Sequence, residues 1–253
     1  MHLLRSRLLS SFPHGFTTRG GGVSLDPFAA LNLGGSVGDD PAAVEENWAR
    51  LARETGLDFA RVRQVHGDRV VRAQECAPGR PSNAERPEAD AVLSSTPGVA
   101  AVVAVADCVP ILLADPRSGA VAAVHAGWRG TLAGIAARAV EALVAEGARA
   151  GELLAAIGPS IGPCCYEVSA DLAARFRAAL GPDVANDLPS QPRLDLWRAN
   201  ERVLHRAGLP LRSIEILGRC TACEPAHFYS HRRDAGRTGR QVGFVAPRPT
   251  CVP

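Results

Sequence analysis

Apolar positions recur along this chain with two different periods, and the switches between them outline its elements. Between Asp40 and Gly56 the apolar residues Val44, Trp48 and Leu51 fall three or four apart, which predicts a helix. Asp40 is suited to cap it, Pro41 to start it and Gly56 to end it. From Gly98 to Ala106 the chain is apolar throughout, the pattern of a strand buried on both faces. PILLADPRSGAVAAVHAG, 110–127, then sets two apolar runs around a turn and predicts a hairpin. A loop of Pro116 to Gly119 puts Asp115 opposite Ala120 and, counting back, Cys108 opposite Gly127. In that register His125 is a diagonal, same-face neighbour of Cys108, roughly 7–8 Å away at the backbone.

Beyond the hairpin, TLAGIAARAVEALVAEG returns to the helical period, with Thr131 as the expected cap and Gly147 as the stop. Gly127 to Gly130 then form a tight strand-to-helix turn, and Arg129 beside a helix start is an expected anion contact. LLAAIG and SIEILG read as strands, and 169–180 and 195–207 as helices. RVRQVHGDRVVRA reads as two extended pieces with His66 beside a Gly67-Asp68 turn. Residues 16–35, with three consecutive glycines, and 74–90, rich in proline, are expected loops. Helices and strands interleave around at least one hairpin. The expected fold is therefore α+β, a single domain over 1–253 with layered mixed sheets flanked by helices.

Composition narrows the chemistry. At 253 residues and 46% hydrophobic content the chain buries a sizeable core, and a net charge of +2 argues against electrostatic nucleic-acid binding. All 28 basic residues are arginine. Schiff-base and phosphate-loop lysines are thereby excluded, so an anion must be met by arginine, backbone N–H or a metal. MHLLRSRLLSSFPHG lacks the apolar run of a signal peptide, and Val99 to Ala106 is far short of the ~20 residues that span a bilayer. The expectation is a cytoplasmic protein, off the membrane, with its seven cysteines reduced.

His66, Cys108 and His125 are candidate metal ligands, three protein donors with a fourth position open; their spacing matches no local zinc signature and singly they read as core or turn residues, but the hairpin register favours a shared ion for Cys108 and His125. The C-x-x-C of Cys220 and Cys223, with His227 and His231 after it, reads as a structural zinc site, a redox pair or plain packing. GPSIGPCCYEV, with Cys164 and Cys165, reads as a turn-rich loop or a rigid pocket wall. FYSHRRDAGRTGRQ is either solvated surface or a glycine-spaced basic loop that holds phosphate. Asp107 adjoins Cys108 but should face away by strand alternation.

FTTRGGGVS, QVHGDRV, ADCVPILLAD, AVHAGWRG, GPSIGPCCYEV and CTAC…FYSHRRD…TGRQ occur in this order. Together they resemble the laccase-domain family, also called polyphenol oxidase or YfiH-like, from about residue 11 to residue 245. The resemblance implies an α+β fold with layered mixed sheets. It implies a purine nucleoside phosphorylase acting on adenosine, inosine and methylthioadenosine, with adenosine deaminase activity. It also implies zinc at His66, Cys108 and His125 as the catalytic centre, with copper as the alternative ion, and inorganic phosphate as co-substrate. Arg19 and Arg129 match motif arginines and are expected to contact substrate or phosphate. The expected partners are small-molecule nucleosides rather than nucleic acid or membrane, for a monomer or weak homo-oligomer. The competing readings are a Cys108–His125 amide hydrolase editing cell-wall precursors, a copper phenol oxidase, for which 7 histidines are few, and a metal-stabilised binding module.

Overall fold

In the computed structural model, which describes residues 1–76, 85–186 and 191–248, the chain is laid out in four layers. One sheet has the order β1-β2-β13-β6-β3, formed by β1 (Leu3–Leu4), β2 (His14–Thr17), β3 (Asp58–Ala60), β6 (Val99–Val105) and β13 (Gln241–Val245). The other has the order β12-β9-β7-β8-β5-β4, formed by β4 (Val70–Arg72), β5 (Ala91–Ser94), β7 (Val109–Ala114), β8 (Val121–Ala126), β9 (Leu154–Ile157) and β12 (Ile214–Ile216). Both are mixed: β3 runs parallel to β6, β4 to β5 and β12 to β9, while the remaining pairs are antiparallel. A small ribbon of β10 (Ala185–Asn186) and β11 (Arg193–Leu194) stands apart from them.

Side-chain alternation explains the layering. Along β7, Leu112 and Ala114 enter the core between the two sheets, together with Val121 and Ala123 of β8 and Ala101 and Val103 of β6. The intervening residues Val109, Ile111, Leu113, Ala122 and Val124 face a second core against the helices α3 (Ile135–Ala145), α4 (Ala170–Leu180) and α5 (Leu196–Arg206). On the far side, α1 (Pro41–Thr55) lays Val44, Trp48 and Leu51 over Val102, Val242 and Phe244. Strands buried on both faces therefore read as unbroken apolar runs.

The local signals of α1 act as expected. The Asp40 side chain accepts from the Ala42 N–H at 2.9 Å, and Gly56 ends the helix with φ 67°. The hairpin register is also as counted: Val109 pairs with Ala126, Pro110 with His125 and Ala114 with Val121, and Asp115 N–H donates to Ala120 O at 2.8 Å.

Two local expectations are corrected. The helix after β8 begins at Trp128, with Gly127 as its cap, and α2 (Trp128–Ala133) stops at Gly134, whose φ of 83° resets the chain into α3. Thr131 is thus inside α2, where its hydroxyl accepts from Asn200 Nδ2 at 3.1 Å instead of capping. Of the two extended pieces expected around Gly67-Asp68, the second forms β4, whereas 61–69 holds only an isolated bridge from Arg63 to Glu88, with His66 at a φ of 62° that no strand tolerates. The loop expected at 74–90 falls partly on residues outside those described.

Leu112, fully buried between the sheets, and Asp40 provide a test of the layering. Leu112→Ala should cost about 2–5 kcal/mol and Asp40→Ala about 1 kcal/mol in urea unfolding; equal losses would contradict the layering.

Candidate metal centre

The site lies where β6 hands over to β7 and where β8 ends. Cys108 closes the β6–β7 connection, one residue after Asp107, whose φ is 88°. His125 is the penultimate residue of β8 and His66 sits in the loop before β4. The three ligand atoms lie within 4.8 Å of one another, and the two imidazole rings meet edge to face with centroids 4.8 Å apart.

Asp90, fully buried just before β5, sets this geometry. Its carboxylate accepts from the backbone N–H of Val65 at 3.2 Å, His66 at 2.9 Å and Gly67 at 2.7 Å, and from His125 Nδ1 at 2.8 Å. Three of these bonds hold the His66 loop in its left-handed turn, and the fourth fixes the tautomer of His125, leaving Nε2 directed at the site. Burial alone would raise the Asp90 pKa, but the His125 partner and the N–H donors outweigh it and hold the carboxyl below its ordinary range.

The thiol and its histidines are tightly linked. Burial would raise the Cys108 pKa, yet the charge of His125 and hydrogen bonds from His125 and His66 bring it down to about 6. Burial would lower the His125 pKa, yet the Cys108 thiolate and the Asp90 carboxylate lift it to about 9. Protein groups alone thus favour a thiolate. Gly127 is what lets these groups close: a Cβ there would stand 2.9 Å from Cys108 Sγ and 3.2 Å from His66 Cδ2.

One thiolate and two imidazoles converging from separate elements, one ring held by a carboxylate behind it, is a donor set that fits a divalent zinc ion with a position left open. His66, Cys108 and His125 all line a cleft of about 640 Å³. Six arginines line it, Arg61, Arg63, Arg86, Arg129, Arg232 and Arg240, with Trp48, Trp128 and Tyr166 as aromatic walls. Arg61 lies over Trp48 and is paired with Glu45, while Arg129 is exposed and lies over Trp128 at 4.4 Å. Burial, with the charge of Arg61 beside it, lowers the Arg86 pKa to about 10.

His66, Cys108 and His125 therefore cluster, and Arg129 lines the same cleft, with Arg232, Arg240 and His231 of the basic loop also on its wall. Arg19 does not line this cleft. Its Nε donates to Ala29 O at 2.9 Å, its Nη1 to Pro225 O at 3.1 Å, and the guanidinium rests over Tyr229, so it braces two loops. Asp107 is turned away from the thiol, with one oxygen taken by Thr221 Oγ1 at 2.6 Å and the other by Arg232 N–H at 2.6 Å. Cys220 and Cys223 gather with Cys164 and Cys165 instead of with His227 and His231. Asp90 went unread in the sequence; its one signal is an acid directly at the entrance to an apolar strand.

Layered mixed sheets and a metal-capable centre of one sulfur and two nitrogens beneath an arginine-rich cleft define a single-domain α+β protein. The chain belongs to the family described as multi-copper polyphenol oxidoreductase laccase, whose model matches residues 13–248. It is 48% identical to a purine nucleoside phosphorylase of Deinococcus radiodurans over 96% of this chain and 92% of that protein. A Mycobacterium tuberculosis protein of the same name is 43% identical over 90% of this chain and 89% of its own length. The crystal structure of YlmD from Geobacillus stearothermophilus superposes with a TM-score of 0.92 at 37% identity, covering 98% of this chain and 97% of that one.

Two substitutions test the centre. Asp90→Asn should weaken zinc binding roughly 10–100-fold and should flatten the acid limb of stability. The depressed Asp90 pKa stabilises the fold above the ordinary carboxylate value, and that contribution is lost as pH falls through the folded one. Gly127→Ala should lower zinc affinity at least about tenfold by pushing Cys108 and His66 apart; unchanged zinc titrations for both variants would refute the geometry.

Proposed function

We propose that the chain is a metal-dependent purine nucleoside phosphorylase. It transfers the sugar of adenosine, inosine or methylthioadenosine from the base to inorganic phosphate, and it deaminates adenosine at the same centre. The observation that carries this reading is the convergence of His66, Cys108 and His125 on a cleft of nucleoside size lined by arginines. The names borne by the relatives point to the same substrate class.

Phosphorolysis requires phosphate to be set against the anomeric carbon while the glycosidic bond breaks and the base gains a proton. Arg129 and Arg232, both on the cleft wall, would receive phosphate through charge-assisted hydrogen bonds, with no lysine in the chain to share the task. Tyr166 and Trp128 offer flat apolar surface to the base and keep water from it. Zinc held by His66, Cys108 and His125 would supply Lewis acidity. Asp90 holds His125 through Nδ1 and so leaves Nε2 to the site, while the Asp107 carboxylate accepts from Thr221 Oγ1 and Arg232 N–H.

The linked Cys108 and His125 also favour a second reading, a cysteine amide hydrolase with Cys108 as nucleophile and His125 as base. A multi-copper oxidase is favoured less: among the described residues the second metal-capable group is built of cysteine alone.

Release of adenine from adenosine, followed with and without inorganic phosphate, separates the two. Cys108→Ala and His66→Ala should each lower phosphate-dependent turnover by at least about 100-fold. Arg129→Ala should raise the phosphate KM about tenfold, roughly 1.4 kcal/mol of binding. Full nucleoside activity in His66→Ala, or amide hydrolysis that survives chelation, would favour the hydrolase.

A further inference from the structure

We infer a second metal site, independent of the first: Cys164, Cys165, Cys220 and Cys223 form a closed four-thiolate seat for one zinc ion. The four Sγ atoms lie within 4.8 Å of one another. Cys223 Sγ stands 3.6 Å from Cys164 Sγ and 3.3 Å from Cys165 Sγ. A tetrahedral ion with Zn–S bonds of about 2.3 Å places its sulfurs about 3.8 Å apart, so the observed cluster matches a single ion at its centre. It leaves no room for a multi-iron cluster.

Neither core packing nor disulfide bonding suits the cluster as well. Packing accounts for buried thiols, yet Cys164 and Cys223 are exposed and only Cys220 is buried. A disulfide joins sulfurs in pairs, whereas here Cys223 approaches two partners at similar distances and all four atoms converge. The Gly162 N–H donates to Cys220 Sγ at 3.3 Å, a backbone contact of the kind that stabilises a thiolate ligand. Binding sends the thiol protons to solvent, so affinity rises with pH.

The position gives the site a task. Cys164 and Cys165 belong to the glycine- and proline-rich loop after β9, and Cys220 and Cys223 to the turn after β12. These two segments are joined by Thr221 N–H to Ser160 O at 3.0 Å and Ser160 N–H to Arg219 O at 3.2 Å. Both reach the first centre through Asp107, whose carbonyl accepts from Ile161 N–H at 3.0 Å and whose carboxylate accepts from Thr221. An ion here fastens the Tyr166 and Arg232 wall of the cleft without touching substrate.

The test is the zinc content of full-length chain purified reduced and free of chelator, by mass spectrometry of the metal. The proposal expects about two zinc ions per wild-type chain and about one in Cys108→Ala. X-ray absorption of the Cys108→Ala chain should show a shell of sulfur alone at about 2.3 Å. Cys164→Ser with Cys223→Ser should lose that equivalent and keep the Cys108-dependent one. Should this double variant fail to fold, the metal count and sulfur shell of Cys108→Ala still decide. A Cys108→Ala chain that carries no zinc, whether its four thiols are free or joined as disulfides, overturns the proposal. If the wild type then keeps its single Cys108-dependent ion, the first centre stands and only the second falls.

Discussion

The buried carboxylate of Asp90 is the constraint on which the centre depends. A charge with no solvent contact is costly unless its oxygens are satisfied, and here three backbone N–H groups and the His125 ring satisfy them. The same bonds hold His66 in a backbone conformation that non-glycine residues rarely adopt. Desolvation, loop shape and imidazole orientation are therefore a single arrangement. Loss of one donor leaves the carboxylate under-satisfied, and loss of the carboxylate itself frees both histidines at once.

The layered sheets supply the rest. Residues of one parity on β7 and β8 face the opposing sheet, so Pro110 and His125 share a face and Cys108, two positions on, joins them at the strand end. The connection from β6 to β7 is short and is made by Asp107 at φ 88°, which is itself anchored to the loops that carry Tyr166 and Arg232. The thiol, Arg232 and the loop that carries Tyr166 are thus coupled through one braced aspartate. Gly127 completes the arrangement by what it lacks, since a side chain there would occupy the ligands' space.

Much of this was legible in the chain. The apolar run of β6, the hairpin of β7 and β8, and the caps of α1 rest on local period and turn chemistry, and each lies where the pattern put it. The Cys108–His125 neighbourhood followed from that register. His66 entered through family resemblance, because its approach depends on a long-range bond to Asp90 that no periodicity encodes. The same limit hid the cysteine cluster, whose two pairs are 55 residues apart, counting from Cys165 to Cys220, and meet only because β12 lies parallel to β9. Thr131 misled because its cap-like sequence competes with Gly127, which can take the extended turn directly after a strand. Arg19 misled because a motif arginine can serve by holding loops together.

The central claim is that His66, Cys108 and His125 act as one metal centre at the floor of a nucleoside cleft. Anomalous diffraction at the zinc edge, from crystals grown without added metal and soaked with inosine and phosphate, tests it most directly. The account predicts a zinc peak about 2.0–2.3 Å from the three ligand atoms, with phosphate on the Arg129 and Arg232 side and the base against Tyr166 or Trp128. An anomalous map with no peak at those atoms, or nucleoside bound away from them, would contradict it.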